Sequence, residues 1–152
     1  MENTPSINII FSVERADYLD FDRNFVTETL GIEPSISRGY VALKNGGFKP
    51  AQWCFTLENI TAWSIQEALD KLETVFSGKQ TKVLNLQQNL GLESAVTIGI
   101  HCPSCDRPEL YISSESMEFW GRMKTAVGID LYIDIGEDDD LSTLLFNDVR
   151  DE

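Results

Sequence analysis

Hydrophobic positions along the chain change period several times, and each change marks an element. Ile7, Ile9, Phe11 and Val13 alternate with polar neighbours, which predicts a strand over 7–13 with one buried face. Phe25, Val26 and Leu30 then fall at helical spacing behind Asp20 or Asp22 as N-cap, with Gly31 as the stop. After Pro34, two extended pieces, 36–43 and 51–57, are joined through Lys44, Asn45, Gly46 and Gly47, a loop whose glycines accept positive φ. They read as an antiparallel pair, with Trp53, Phe55 and Leu57 on one side of the second piece and Gln52, Cys54 and Thr56 on the other.

Ser64-Ile65-Gln66-Glu67 has the form of a capping box, in which the hydroxyl accepts from the Glu67 amide and the Glu67 carboxylate returns to the Ser64 amide. The helix it starts carries Ile65, Ala68, Leu69, Leu72, Val75 and Phe76 on one stripe and ends at Gly78. Val83, Leu86 and Leu90 predict a third helix over 79–90, stopped by Gly91. Val96, Ile98 and Ile100 alternate in a half-buried strand over 93–101. A turn at 102–108 leads to a short strand over 109–113, then to a helix capped by Ser113 or Ser114 with Met117, Trp120, Met123 and Val127 as its buried stripe. Gly128 closes that helix, and Leu131, Ile133 and Ile135 align in a last strand over 129–135.

The order β, α, β, β, α, α, β, β, α, β predicts an α+β fold, a mostly antiparallel sheet with helices packed on one face. The pattern predicts a single α+β domain over residues 1–136 and an acidic C-terminal tail over 137–152. By parity the uncovered face carries Asn8, Ile10, Ser12, Gln52, Cys54, Thr56, Thr97, His101, Tyr111, Tyr132 and Asp134. Tyrosines among small polar and acidic groups compose a recognition surface rather than a core, although one wet face is also the ordinary condition of an antiparallel sheet.

Charge narrows the function classes. The 152 residues carry 12 Lys+Arg against 25 Asp+Glu, a formal charge of −13. Nine of the acids lie in residues 130–152, against Arg150 alone. Such a chain repels phosphate backbones and anionic headgroups, so the expected partner is a basic protein, not nucleic acid or membrane. With 42% hydrophobic residues the chain can line one core. The N-terminus has no basic segment ahead of an apolar one, and no run nears the ~18 apolar residues of a spanning helix, which predicts a cytoplasmic protein. Three cysteines fit a reducing compartment better than a disulfide scaffold.

Candidate chemistry is sparse. Cys102-Pro103-Ser104-Cys105 could be a redox dithiol or half of a zinc site. A redox pair wants its first cysteine at a helix N-terminus, and this one follows a strand. A Cys₃His zinc site would need Cys54 and His101, yet His101 and Cys102 point to opposite faces if the strand runs through both. His101 is the sole histidine, and no nucleophile elbow, Walker loop, dinucleotide turn or His-Glu-x-x-His pattern accompanies it. Glu137, Asp138, Asp139 and Asp140 are contiguous and lack EF-hand alternation. They suit a solvated segment or an acidic contact surface. The expectation is a protein that is not an enzyme, with no cofactor, no metal and no catalytic residue.

Leu30-Gly31-Ile32-x-Pro34, Gly39, Trp53, Leu110-x-Ile112-Ser113-x-Glu115 and Ile129-Asp130-x-x-x-Asp134-Ile135 together resemble a DUF4279-like family of small bacterial domains of unknown function, over roughly residues 7–136. The resemblance implies a bacterial α+β domain. It also implies an association with polymorphic-toxin loci, where small acidic proteins serve as immunity partners. No catalytic residue comes with it. The expectation is therefore an immunity protein that neutralises a toxin by direct binding, the toxin being a basic nuclease in the most concrete version. Tyr111 and Tyr132 would be aromatic anchors, and Asp134, Glu137, Asp138, Asp139 and Asp140 the acidic contacts. The alternatives are a thiol redox or zinc-binding protein using the CPSC turn, or a structural subunit of an assembly.

Overall fold

A computed structural model describes residues 4–103 and 106–133. Cys105, Asp134, Ile135 and the acidic run Glu137–Asp140 lie outside the described residues. The elements are β1 (Ser6–Arg15), α1 (Arg23–Leu30), β2 (Ile36–Arg38), β3 (Val41–Ala42), β4 (Phe48–Lys49), β5 (Gln52–Thr61), α2 (Ile65–Phe76), α3 (Gln80–Leu90), β6 (Leu92–Cys102), α4 (Ser114–Arg122) and β7 (Thr125–Ile133). A five-stranded sheet runs β2-β5-β1-β6-β7, and all its pairs are antiparallel except β6–β7. The fold is α+β, as the pattern predicts.

β1 is the central strand. Ile7, Ile9, Phe11 and Val13 are buried on the helix side, level with Ile100, Ile98, Val96 and Ser94 of β6 and with Ile60, Leu57, Phe55 and Trp53 of β5. The helices cover that side: α2 contacts β1, α3 contacts β6, α4 contacts β7 and α1 contacts β5. Aromatic rings make the centre of the core. Phe11 lies 4.4 Å from Phe76, 6.4 Å from Trp53 and 6.3 Å from Trp120, centroid to centroid.

The caps follow the sequence with one change. Asp22 accepts from the Phe25 amide at 3.0 Å and Gly31 ends α1 at φ 67°. Ser64 starts α2, but its hydroxyl accepts from the Gln66 amide at 3.1 Å, not from that of Glu67. Gln66 instead joins two helices: its amide nitrogen donates to Ser116 Oγ at 2.7 Å and its oxygen accepts from the Ser113 amide at 2.7 Å.

Three elements differ from expectation. First, 36–43 does not pair as one strand with 51–57. Only Ile36–Arg38 joins β5, and the chain then leaves the sheet as a separate two-stranded arm, Val41↔Lys49 and Ala42↔Phe48. The loop at Lys44–Gly47 is as predicted, with Gly46 at φ 90° and the Leu43 amide donating to Gly47 O at 2.8 Å. Second, 109–113 is not a sheet strand. Glu109 makes a single bridge to Ser64, its amide donating to Trp63 O at 2.7 Å, beside the start of α2. Third, α4 ends at Arg122, because Lys124 takes a left-handed conformation (φ 51°) and its amide closes on Gly121 O. β7 therefore begins at Thr125, Gly128 lies inside the strand opposite Thr97, and Val127 belongs to the sheet.

The buried row of α4 is also shifted. Ser116, Trp120 and Met123 are buried, whereas Met117 is 59% exposed. The reason is a polar anchor: Ser116 Oγ and Trp120 Nε1 both donate to Glu73 Oε2 of α2, which rotates the Ser116 side of α4 inward. We predict that Trp120→Ala costs about 3–5 kcal/mol in urea unfolding while Met117→Ala changes stability by under about 0.5 kcal/mol. A large loss at Met117 would refute this orientation of α4.

Candidate interaction surface

Every helix among the described residues packs on one side, and no described helix lies over the other side of the sheet, where Asn8, His101 and Tyr132 are exposed and Cys54 is buried. The floor of that side is set by β1 and β6: Asn8 and Ile10 of β1 stand level with Gly99 and Thr97 of β6, and these with Asp130 and Gly128 of β7. Side-chain parity therefore gathers Asn8, Thr97, His101, Asp130 and Tyr132 on one surface.

The most shaped part of this surface is a groove of about 290 Å³ lined by Ser6, Asn8, Gly99, Ile100, His101 and Tyr132. Two features of the chain build it. Gly99 puts no side chain between Asn8 and Asp130. His101 and Tyr132, opposite each other on β6 and β7, stack with centroids 6.5 Å apart and planes at 30°, forming one aromatic wall. Asn8 forms the facing side and is held in place: its Oδ1 accepts from the Asn59 amide at 2.8 Å, across an irregularity of the β1–β5 register where Asn59 adopts φ 56°. A groove with ring faces, an amide, a hydroxyl and a nearby carboxylate suits a protruding side chain of a protein partner.

The two predicted anchors are not on one strand platform. Tyr132 is 57% exposed on the open face, as expected. Tyr111 is also exposed, at 59%, but it lies in the connection that binds the start of α2 through Glu109 and Ser113, on the helix side of the molecule. The sequence misplaced it because isolated alternation over 109–113 resembles a strand, and only the Ser64 bridge decides otherwise.

The cysteine chemistry is constrained by the same parity. Cys102 is buried in the core on the helix side. Cys54 and His101 share the opposite face, yet Cys54 pairs with Ser12 and His101 with Ser6, six residues apart along β1, or about 20 Å at the usual rise per residue. Among the described residues no group of three His, Cys, Asp or Glu side chains converges to hold a metal ion. Burial pushes the Cys54 thiol up to about 11, opposed by the Arg38 guanidinium. Folding keeps a proton on Cys54 that the unfolded chain loses above 9.0, so this group lowers stability as pH rises from there towards about 11. We expect Cys54 and Cys102 to resist Ellman's reagent at pH 8 in the native protein and to react on unfolding. Rapid modification of either in the native state would show that the burial is wrong.

Residues 6–134 match the model of a family described as Domain of unknown function (DUF4279). No curated protein and no solved structure matches the chain.

Proposed function

For a chain that belongs to the DUF4279 family of domains of unknown function, we propose a non-enzymatic role: a cytoplasmic immunity protein that neutralises a cognate bacterial toxin by direct binding. The observation that carries this reading is the His101–Tyr132 groove on an uncovered sheet face of a chain with charge −13. An acidic molecule is drawn to a basic partner at long range, and a groove with an aromatic wall then gives a side chain of that partner a desolvated seat. A basic nuclease fits best, since its substrate groove presents Lys and Arg groups that carboxylates can occupy in place of phosphates. In this reading Tyr132 is an anchor, Asp130 and the sequence-assigned Asp134 and Glu137–Asp140 supply the acidic contacts, and Tyr111 serves a partner that reaches past the sheet.

Gly99 offers a test that does not remove any contact. A Cβ there would meet Asn8 O at 3.6 Å, an ordinary contact, and its φ lies outside the left-handed region, so the backbone accepts a side chain and Gly99→Val places its methyls in the groove, with circular dichroism checking that the fold is kept. Tagged wild-type protein, Gly99→Val and Tyr132→Ala would each be used to capture partners from lysate of the source organism at low and moderate salt, with identification by mass spectrometry. The expected result is one basic protein held by the wild type, released as salt rises and weakened about 10-fold or more in both variants. Retention unchanged by the variants and by salt would contradict the assignment.

A second reading, a subunit of a larger assembly, is favoured by β7, the last strand of the sheet among the described residues, with Ile129 and Leu131 each 40% exposed on the helix side. Sedimentation separates the two: concentration-dependent self-association abolished by Ile129→Lys favours the assembly.

A further inference from the structure

We propose that the β3–β4 arm is a second docking surface, opposite in charge to the rest of the molecule, which takes an acidic peptide segment of a partner protein bearing aromatic or branched apolar side chains. From Pro34 to Leu57 the chain carries Arg38, Lys44 and Lys49 and no Asp or Glu, in a protein whose total charge is −13. The bases of the neighbouring loop are already engaged, Arg15 with Asp17 at 2.7 Å and Arg23 with Asp20 at 3.4 Å. Among the described residues Arg38, Lys44 and Lys49 are in no ion pair. Arg38 instead spends its guanidinium on Pro50 O and Gln52 Oε1, at 3.3 and 3.5 Å, which fixes a positive charge at the root of the arm.

The same arm carries a cluster of exposed rings. Phe48 stacks on Tyr40 at 5.6 Å and meets Tyr18 at 5.8 Å, and all three rings are exposed, by 46%, 41% and 45%. Val41 and Leu43 are exposed beside them. A two-stranded hairpin is marginal in water, so rings left this open are an unusual expense unless something covers them. Tyr18 is held there by backbone, at φ 64° with its carbonyl accepting from the Ala51 amide at 3.4 Å. Rigid rings flanked by cations are the complement of a segment that alternates acids with apolar side chains. A nucleic acid also meets rings and cations, but its phosphates continue past the arm and meet the 25 acids of the chain, whereas a short acidic segment touches only the arm with its three bases and needs no further contact. The arm begins where β2 and β5 pair through Arg38 and Gln52, beside Val13 of β1, whereas the groove lies at the Ser6 end of β1; the two surfaces therefore occupy opposite ends of the sheet, and this inference stands apart from the toxin reading.

The test uses the full chain and fluorescence anisotropy with three labelled probes: a short synthetic peptide alternating Glu with Phe and Leu, the same peptide with Lys in place of every Glu, and oligothymidylate. The expected result is binding of the acidic peptide at least about 10-fold tighter than its basic counterpart, weakening as salt rises. Lys44→Glu/Lys49→Glu and the milder Lys44→Gln/Lys49→Gln would each lose most of it, as would Phe48→Ser, while Tyr132→Ala would not. All these positions are exposed, so circular dichroism and the thermal midpoint should stay near wild type. No binding of the acidic peptide, no preference between the peptides, binding retained in the glutamine pair, tighter binding of oligothymidylate, or self-association that the lysine substitutions abolish would each overturn the proposal.

Discussion

The register of β1 is the constraint on which the rest of the molecule depends. This strand is hydrogen-bonded on both sides, to β5 and β6, and every second residue from Ile7 to Val13 is buried under the helices. A slip of one residue would turn Phe11 to solvent and bring Ser12 among the rings of Phe76, Trp53 and Trp120. The same alternation fixes the opposite surface. Asn8 faces outward because Ile7 and Ile9 face inward, and the groove residues on β6 and β7 inherit their orientation from that pairing.

Helices stay on one side because polar staples hold them there as well as apolar packing. Gln87 of α3 donates to Ser94 Oγ at 2.8 Å and to Met123 O at 2.6 Å, and Ser94 meets Thr125 Oγ1 at 2.6 Å, so the helix layer is tied to the starts of β6 and β7. Gln66, Ser116, Glu73 and Trp120 do the same between α2 and α4. A buried hydrogen-bonded set of this kind specifies one arrangement, because leaving any member unpaired costs about 1–3 kcal/mol. The layer is thus tied down by bonds made on the helix side of the sheet.

Local signals in the chain were sufficient where an element is decided by its own residues. The period-two strands, the Asp22 and Ser113 caps and the glycine stops at Gly31 and Gly91 are all present as expected. What the sequence could not convey was set by distant partners. Met117 and Ser116 compete for the inner side of α4, and apolarity favours Met117; the Glu73 carboxylate on α2 reverses the choice. Lys124 ends the helix although nothing about lysine marks a stop, and Gly128, which looks like one, is an ordinary strand position. The arm is illegible for a similar reason: Ile36 to Leu43 has the composition of one strand, and the contacts that accompany its departure from the sheet, Phe48 on Tyr40 and on Tyr18, join residues far apart in sequence. Of the candidate site, His101 and Tyr132 were placed by parity, while Gly99 as the groove's floor needed the three-strand register.

The molecule that results has a sheet whose described helices lie on one side, a groove at one end of the other side and a basic aromatic arm at the opposite end. We propose that a partner sits on the side of the sheet opposite the helices, where Tyr132 and His101 are exposed. Hydroxyl-radical footprinting of the protein alone and with its captured partner measures this directly. Tyr132 and His101 are expected to be oxidised readily in the free protein, at rates comparable with exposed Tyr40 and far above buried Trp53, and to become protected in the complex while Met117 on the helix side does not. Protection of Tyr132 in the free protein, or protection of Met117 and not Tyr132 in the complex, would contradict it.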